Sequence, residues 1–318
     1  MTLPSTLVTA MVWGMAFVFQ RKGMDHIGPL SFNAARQVLA SLALLVMVLA
    51  SDAYNKAKGT LPSRTMNAEH FRLYKKNTLE GGIALGVVVT LAGELQQVGI
   101  VSTSAGKAGF ITAMYVVLVP VASFLFFRKR TGVLQLAAVV IATVGLYLLS
   151  VKEGFSVESG DIWIMGCAIF WTLYILVCDR YSPVADTIRM SFIQFVCAAV
   201  LQIVIAMIFE GPASSGWQGW SYYAQGLKEA LTAIAYCGLV SSGIGFTGQI
   251  VGQKYTDAVS ASLIMCLESV FAAIFGVLVL RELMSSRELI GCIVMFAAII
   301  LSQLPDPKRK AYMGMPEA

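Results

Sequence analysis

The chain repeats itself. Shifted by 153 residues, Gln96 meets Gln249, Gly99 meets Gly252, Thr103 meets Thr256, Ala105 meets Ala258, Ala108 meets Ala261 and Arg128 meets Arg281. Nearer the start, a shift of 158 pairs Trp13 with Trp171, Val38 with Val196 and Ala40 with Ala198. The shifts differ by five residues, and the difference falls in the polar loop between the second and third apolar segments and its counterpart. A fixed internal period means one structural unit built twice, which limits the fold before any local feature is read.

The medium follows from composition. The sequence is 57% hydrophobic and 13% charged, against about 25% charged in soluble proteins. One core cannot hide that much apolar surface from water, so most of the chain has lipid as its solvent. Ten apolar segments can be drawn, at 3–20, 31–50, 79–101, 103–127, 132–150, 160–178, 187–209, 229–252, 256–280 and 287–304. Each is near the roughly 20 residues a helix needs to cross hydrocarbon. The expected fold is an all-α polytopic membrane protein of ten transmembrane helices in two inverted five-helix repeats, residues 1–152 and 153–304, with 305–318 as a cytoplasmic tail. Segments 3 and 4 are nearly fused at Ser102–Ser104, and segments 8 and 9 at Lys254–Thr256. Trp217, Trp220, Tyr222 and Tyr223 place the stretch 210–228 along an interface, as a partial helix.

Orientation follows from the basic residues. With the N-terminus in the cytoplasm, fifteen Lys and Arg fall inside and eight outside, so both termini are expected inside. No Lys or Arg precedes Arg21, so the first segment lacks the basic start of a cleaved signal and is kept as a helix. Five helices per unit make the second unit enter from the opposite side. Such inversion is a mark of secondary transporters, because exchanging the shapes of the halves turns an outward cavity inward.

Six cysteines lie in or at the ends of apolar segments without a C-x-x-C pair, and only His26 and His70 exist. No metal and no cofactor is expected. The net charge of +5 is read as membrane orientation and not as nucleic-acid binding. No His-Glu-x-x-His, paired intramembrane aspartates or Gly-x-Ser-x-Gly occurs, so the chain is not expected to be an enzyme.

Polar groups inside the apolar segments mark the candidate cavity. Glu94, Lys107 and Glu268 lie well inside segments and Arg36 near a start; an intramembrane charge persists when paired or facing a wet cavity. Lys107, Ile111 and Tyr115 share a helix face, as do their counterparts Ser260, Ile264 and Glu268. Both faces are expected to turn toward the axis relating the halves. Glu94 and Lys107 form either a static brace or a gate, and Glu268 is a coupling candidate. Arg36 either snorkels to headgroups or gates. Gln96 and Gln249 are counterparts suited to a ligand or to bonds between helices. Trp13, Phe17, Trp171 and Tyr174 provide aromatic walls. Glycines crowd segment 8 and allow close packing, and Pro120 predicts a kink.

The strings Trp13–Gly23, Gln96–Gly99 with Thr103–Ile111 and Tyr115–Pro120, and Gln253–Thr256 with Ala261–Ala273, closing at Leu280-Arg-Glu282, resemble the drug/metabolite transporter superfamily in its ten-helix EamA-type branch. The resemblance covers nearly the whole chain to about Leu304. It implies a central cavity between inverted halves, cytoplasmic termini, a bacterial plasma membrane, and export or exchange of small metabolites such as amino acids. Two departures stand out. The family reads Glu-Pro where this chain has Glu268-Ser269, which softens an expected kink, and Gly-Glu where it has Arg128-Lys-Arg130. The expected function is a secondary transporter with a small-molecule substrate, membrane lipids as neighbours and protons as coupling ion. A lipid scramblase is the alternative, and a membrane-embedded enzyme a weaker one.

Overall fold

In the computed structural model, residues 2–103, 105–150, 158–212, 214–280 and 285–304 are described. All their regular structure is helical. The first half carries α1 (Thr2–Gly23), α2 (Pro29–Lys58), the single turn α3 (Pro62–Thr65), α4 (Ala68–Val101), α5 (Ala105–Ala113), α6 (Tyr115–Phe127) and α7 (Val133–Ser150). The second carries α8 (Ser159–Tyr181), α9 (Thr187–Phe209), α10 (Trp220–Glu229), α11 (Leu231–Ala235), a π-wound stretch (Tyr236–Phe246), α12 (Thr247–Gln253), α13 (Ala258–Met265), α14 (Glu268–Leu280) and α15 (Ser286–Gln303).

Every apolar segment of the sequence lies on helix, but fewer than ten qualify as spans. Eight helices among the described residues are long and apolar enough to cross a membrane, and Val133–Leu149 is a shorter apolar helix. Helix α1 covers the first segment with 22 residues without being one of the eight. The tail 305–318 and the junction between the proposed halves, 151–157, lie outside the described residues.

The exterior is greasy and the interior polar. Leu125 is 71% and Ile300 66% exposed, whereas Gln97, Gln194 and Gln202 are 0% exposed. Water would reverse that distribution; lipid accounts for it. The stretch after α9 forms the partial helix α10, and Trp217 meets Trp220 edge to face and Tyr223 at a tilt, at ring distances of 5.0 and 4.7 Å.

Packing follows the repeat. Helix α4 lies against α8 and α9, α2 against α9 and the π-wound stretch, α1 against that stretch, α12 and α14, and α7 against α15. A Cβ at Gly99 would come within 2.5 Å of Ile164 Cδ1, and one at Gly252 within 2.5 Å of Thr6 Cγ2. Gly99 and Gly252 are counterparts (252 − 99 = 153), and so are Thr6 and Ile164 (164 − 6 = 158). Both contacts need glycine for the same reason, that the neighbouring helix passes too close for a side chain. Gly238, Gly245 and Gly248 of segment 8 serve this purpose, with a Cβ at Gly245 lying 2.6 Å from Trp13 Nε1, whereas one at Gly243 would meet only Gly238 O, at 3.4 Å.

The central helices break at matching places. Met114 separates α5 from α6, and Cys266-Leu267 separates α13 from α14. At each break the backbone tightens to a three-residue hydrogen bond, Met114 N to Ile111 O and Leu267 N to Ile264 O, both at 3.2 Å. Pro120 lies more than a turn beyond the first break and the second half has no proline near its own. The break therefore does not depend on proline, and replacing Glu-Pro by Glu268-Ser269 has not removed it.

Helix α2 borrows its N-terminal cap. The Glu210 carboxylate accepts from Leu30 N at 2.9 Å and Ser31 N at 2.8 Å, filling acceptors that the first turn lacks and placing negative charge at its positive end. Glu210→Ala is expected to cost about 1–2 kcal/mol and Glu210→Gln less, read as melting temperature of the purified protein in detergent.

Candidate functional site

Between the halves lies a pocket enclosing about 520 Å³ of empty space, its open mouth included. Its lining falls into counterpart pairs: Trp13 with Trp171, Phe17 with Ile175, Gln96 with Gln249, Thr112 with Met265, and Tyr115 with Glu268. Ala16, Gln20, Arg36, Ser241 and Phe246 complete it.

At its centre Tyr115 Oη donates to Glu268 Oε1 at 3.3 Å, and both residues are buried. Each opens the second piece of a broken helix. The break turns the start of α6 and the start of α14 toward each other, so polar groups reach the middle of an apolar bundle without a loop.

An aromatic wall stands beside this pair. Trp13 packs on Phe246 at 4.7 Å and faces Trp171 at 6.4 Å between ring centroids. The Trp13 indole donates to Ser241 O at 3.2 Å, which anchors the ring to the π-wound stretch. Gln96 Nε2 donates to Thr112 Oγ1 at 3.3 Å, and Gln249 Nε2 to Gln253 Oε1 at 2.9 Å. Gln96, Arg36 and Gln20 mark the end where α4 and α1 finish and α2 begins.

The opposite end is latched. Lys129 Nζ meets Asp179 Oδ2 at 2.6 Å, and Asp179 Oδ1 accepts from Ala258 N at 3.1 Å. Gln135 Nε2 donates to Asp257 Oδ1 at 3.1 Å and Ser260 Oγ at 2.9 Å. Gln253 Nε2 donates to Ile175 O at 3.0 Å. The latch thereby ties the α6–α7 loop and α7 to α8 and the start of α13, and the Gln253 bond holds α12 to α8.

Of the residues singled out in the sequence, Trp13, Phe17, Arg36, Gln96, Tyr115, Trp171, Gln249 and Glu268 line the pocket together. Tyr174 stands behind the wall, fully buried, its hydroxyl donating to Gln194 Oε1 at 2.9 Å. Ser260 is held by Gln135 below the pocket floor, not in its lining. The Lys107 side chain lies outside the described residues, and so does the expected pair with Glu94. Glu94 does not line the pocket but stands beside it. Arg36 is 5% exposed, so it does not snorkel. Sequence reasoning missed Phe246, Ser241, Gln20, Thr112, Met265, Ala16 and Ile175. Pairing across the repeat signalled two of them, Ala16 and Ile175, as the counterparts of Tyr174 and Phe17.

Comparison with known proteins decides the family. The EamA-like transporter family matches residues 2–151 and again 158–304. The chain belongs to that family. Among its relatives, an uncharacterized transporter of Archaeoglobus fulgidus is 26% identical over 301 residues, covering 93% of this chain and 84% of its own. The uncharacterized transporter YoaV of Bacillus subtilis is 21% identical, covering 94% and 96%. A chloroplastic WAT1-related protein of Arabidopsis thaliana is 24% identical, covering 92% and 67%. One solved crystal structure superimposes with a TM-score of 0.69 at 17% identity, covering 96% of this chain and 98% of its own, and supports the fold. Together with the apolar helices, these matches make this EamA-like chain a multi-pass membrane protein of a transporter family.

Removing the central carboxylate strands a buried phenol. Glu268→Ala is expected to cost about 1–3 kcal/mol, and Glu268→Gln, which still accepts from Tyr115, clearly less. Thermal melts of the two purified variants check the order.

Proposed function

We propose that the protein is a secondary transporter that exports or exchanges small polar or amphipathic metabolites, amino acids and related compounds among them, by alternating access across a bacterial plasma membrane. In this reading residues 1–152 and 153–304 are inverted halves of five crossings each, and both termini are cytoplasmic. The observation that carries it is the contact between counterparts, Tyr115 and Glu268, inside a pocket whose lining is itself paired across the repeat. Two halves that swap shapes pivot about the line on which counterparts meet, and a ligand bound there is presented to either side in turn.

The substrate reading follows from the walls. Trp13, Trp171 and Phe246 receive an apolar or aromatic body. Glu268 takes a cationic group, and Arg36 takes a carboxylate at the other end. With the N-terminus inside, the Lys129–Asp179 latch closes the cytoplasmic side and the pocket faces outward. A proton on Glu268 removes its hold on a cation, so proton and amine compete for one site. That competition is the requirement for exchange of substrate against protons.

The test is flux. Proteoliposomes loaded with a panel of amino acids and other small metabolites are expected to release at least one solute faster than empty vesicles, with release accelerated by a proton gradient. Glu268→Gln is expected to abolish the acceleration and Arg36→Gln to weaken binding of carboxylate-bearing solutes by about tenfold. Flux equal to that of empty vesicles for every solute would overturn the proposal.

A further inference from the structure

Behind the pocket, between α2, α4 and α9, lies a second polar compartment. Asn33, Arg36 and Gln37 of α2, Glu94 and Gln97 of α4, and Gln202 of α9 are each at least nine-tenths buried. Three nitrogens close on one point beside Gly93. A methyl group there would stand 3.6 Å from Gln202 Nε2 and 3.8 Å from both Arg36 Nη2 and Asn33 Nδ2. Asn33 Nδ2 donates to Gly93 O at 3.0 Å. Nothing comparable satisfies the rest: Asn33 Oδ1, Arg36 Nε, Gln37 Oε1, both Glu94 oxygens and the amide atoms of Gln97 and Gln202 have no hydrogen-bond partner among the described residues. Buried polar atoms in lipid surroundings demand partners, and a cluster of this polarity finds them in ordered water.

The repeat supplies an internal control. The counterparts of Gly93, Gln37, Gln97 and Gln202 are Phe246, Phe195, Ile250 and Leu44, and those of Glu94 and Arg36 are Thr247 and Gln194. The four apolar counterparts are buried in the main hydrophobic core. Phe195 and Phe246 meet at 5.6 Å between rings. The second half fills the same place partly with hydrocarbon, beside the buried polar residues Ser191, Gln194 and Thr247, the counterparts of Asn33, Arg36 and Glu94. Gln37, Gln97 and Gln202 stand where the second copy accommodates apolar side chains, and the ionisable pair Arg36 and Glu94 where it carries uncharged ones. Arg36 joins this compartment to the substrate pocket, because it lines both.

We propose that the compartment is a water-filled proton-binding site in which Glu94 takes up and releases a proton and Arg36 relays the change of charge to the substrate pocket. With Glu94 ionised, its charge and that of Arg36 cancel. A proton passed from water to a Glu94 oxygen makes a neutral carboxylic acid and leaves one net positive charge at the pocket wall, where it strengthens the hold on an anionic group. The charged and titratable neighbours are few. Arg36 faces Glu94 from α2, Cys237 of the π-wound stretch touches Arg36, and Glu210 lies beyond the end of α9. Asp161 of α8 accepts from Thr103, and the Lys107 side chain of α5 is outside the described residues. The purpose of the site rests on the transport reading, but its detection does not.

Infrared spectroscopy of the purified protein in lipid nanodiscs, without substrate, tests it. Wild type is expected to show a protonated-carboxyl band that titrates with pH and shifts in D2O. Glu94→Gln is expected to lose one titrating component of it, and Glu268→Gln to keep that component. Gly93→Ala, whose methyl group fits at ordinary contact distance, displaces water without disturbing the fold and is expected to move the midpoint by about one pH unit. Should Glu94→Gln fail to fold, Glu94→Thr, which installs the residue of the second half, takes its place. A band unchanged in amplitude and titration by loss of Glu94, or a midpoint of the Glu94 component untouched by Gly93→Ala in a protein that melts like wild type, overturns the proposal. Failed flux with these spectral results intact would sink the transport reading alone.

Discussion

The hydrogen bond from Tyr115 to Glu268 ties the two units together through equivalent residues, as the facing rings of Trp13 and Trp171 do beside it. A residue meets its own counterpart only near the line that relates the copies. The matching breaks at Met114 and Cys266-Leu267 exist to the same end, since they aim the starts of α6 and α14 at that line. The aromatic wall, the counterpart glutamines and the latch below are arranged around it. Move either half and this contact must be remade or replaced.

That centre is polar, whereas the surface is not. A protein in water uses apolar burial as its main drive, but between helices in lipid that drive is weak, and close packing and polar contacts take a larger share. Gly99 against Ile164 and Gly252 against Thr6 show the first of these. Gln135 reaching Asp257 and Ser260 shows the second. In both, one small or polar residue decides how near two helices come.

The sequence made the repeat, the helical segments and the facing of Tyr115 and Glu268 legible, because each depends on spacing alone. Four-residue spacing put Ser260 on the same face as Glu268, and it could not reveal that Gln135, 125 residues away, takes its hydroxyl. Phe246 escaped notice because the stretch Tyr236–Phe246 winds with a longer period than an α-helix, which shifts its faces from those that a 3.6-residue period gives. From its place near a segment start, Arg36 read equally as a headgroup anchor and as a gate. Only the fold reveals that α9 and the π-wound stretch cover it. The bond from Lys129 to Asp179 spans fifty residues and leaves no local signature.

The latch is not copied residue for residue. The counterparts of Asp257 and Gln135 are Ser104 and Glu288, and those of Lys129 and Asp179 are Glu282 and Arg21, which exchange the signs of the two charges, so the groups that seal one end differ from those available at the other. Perfect duplicates would rest equally in either of two postures. In the proposed exchange of shapes, divergence at these few positions would favour one posture over the other.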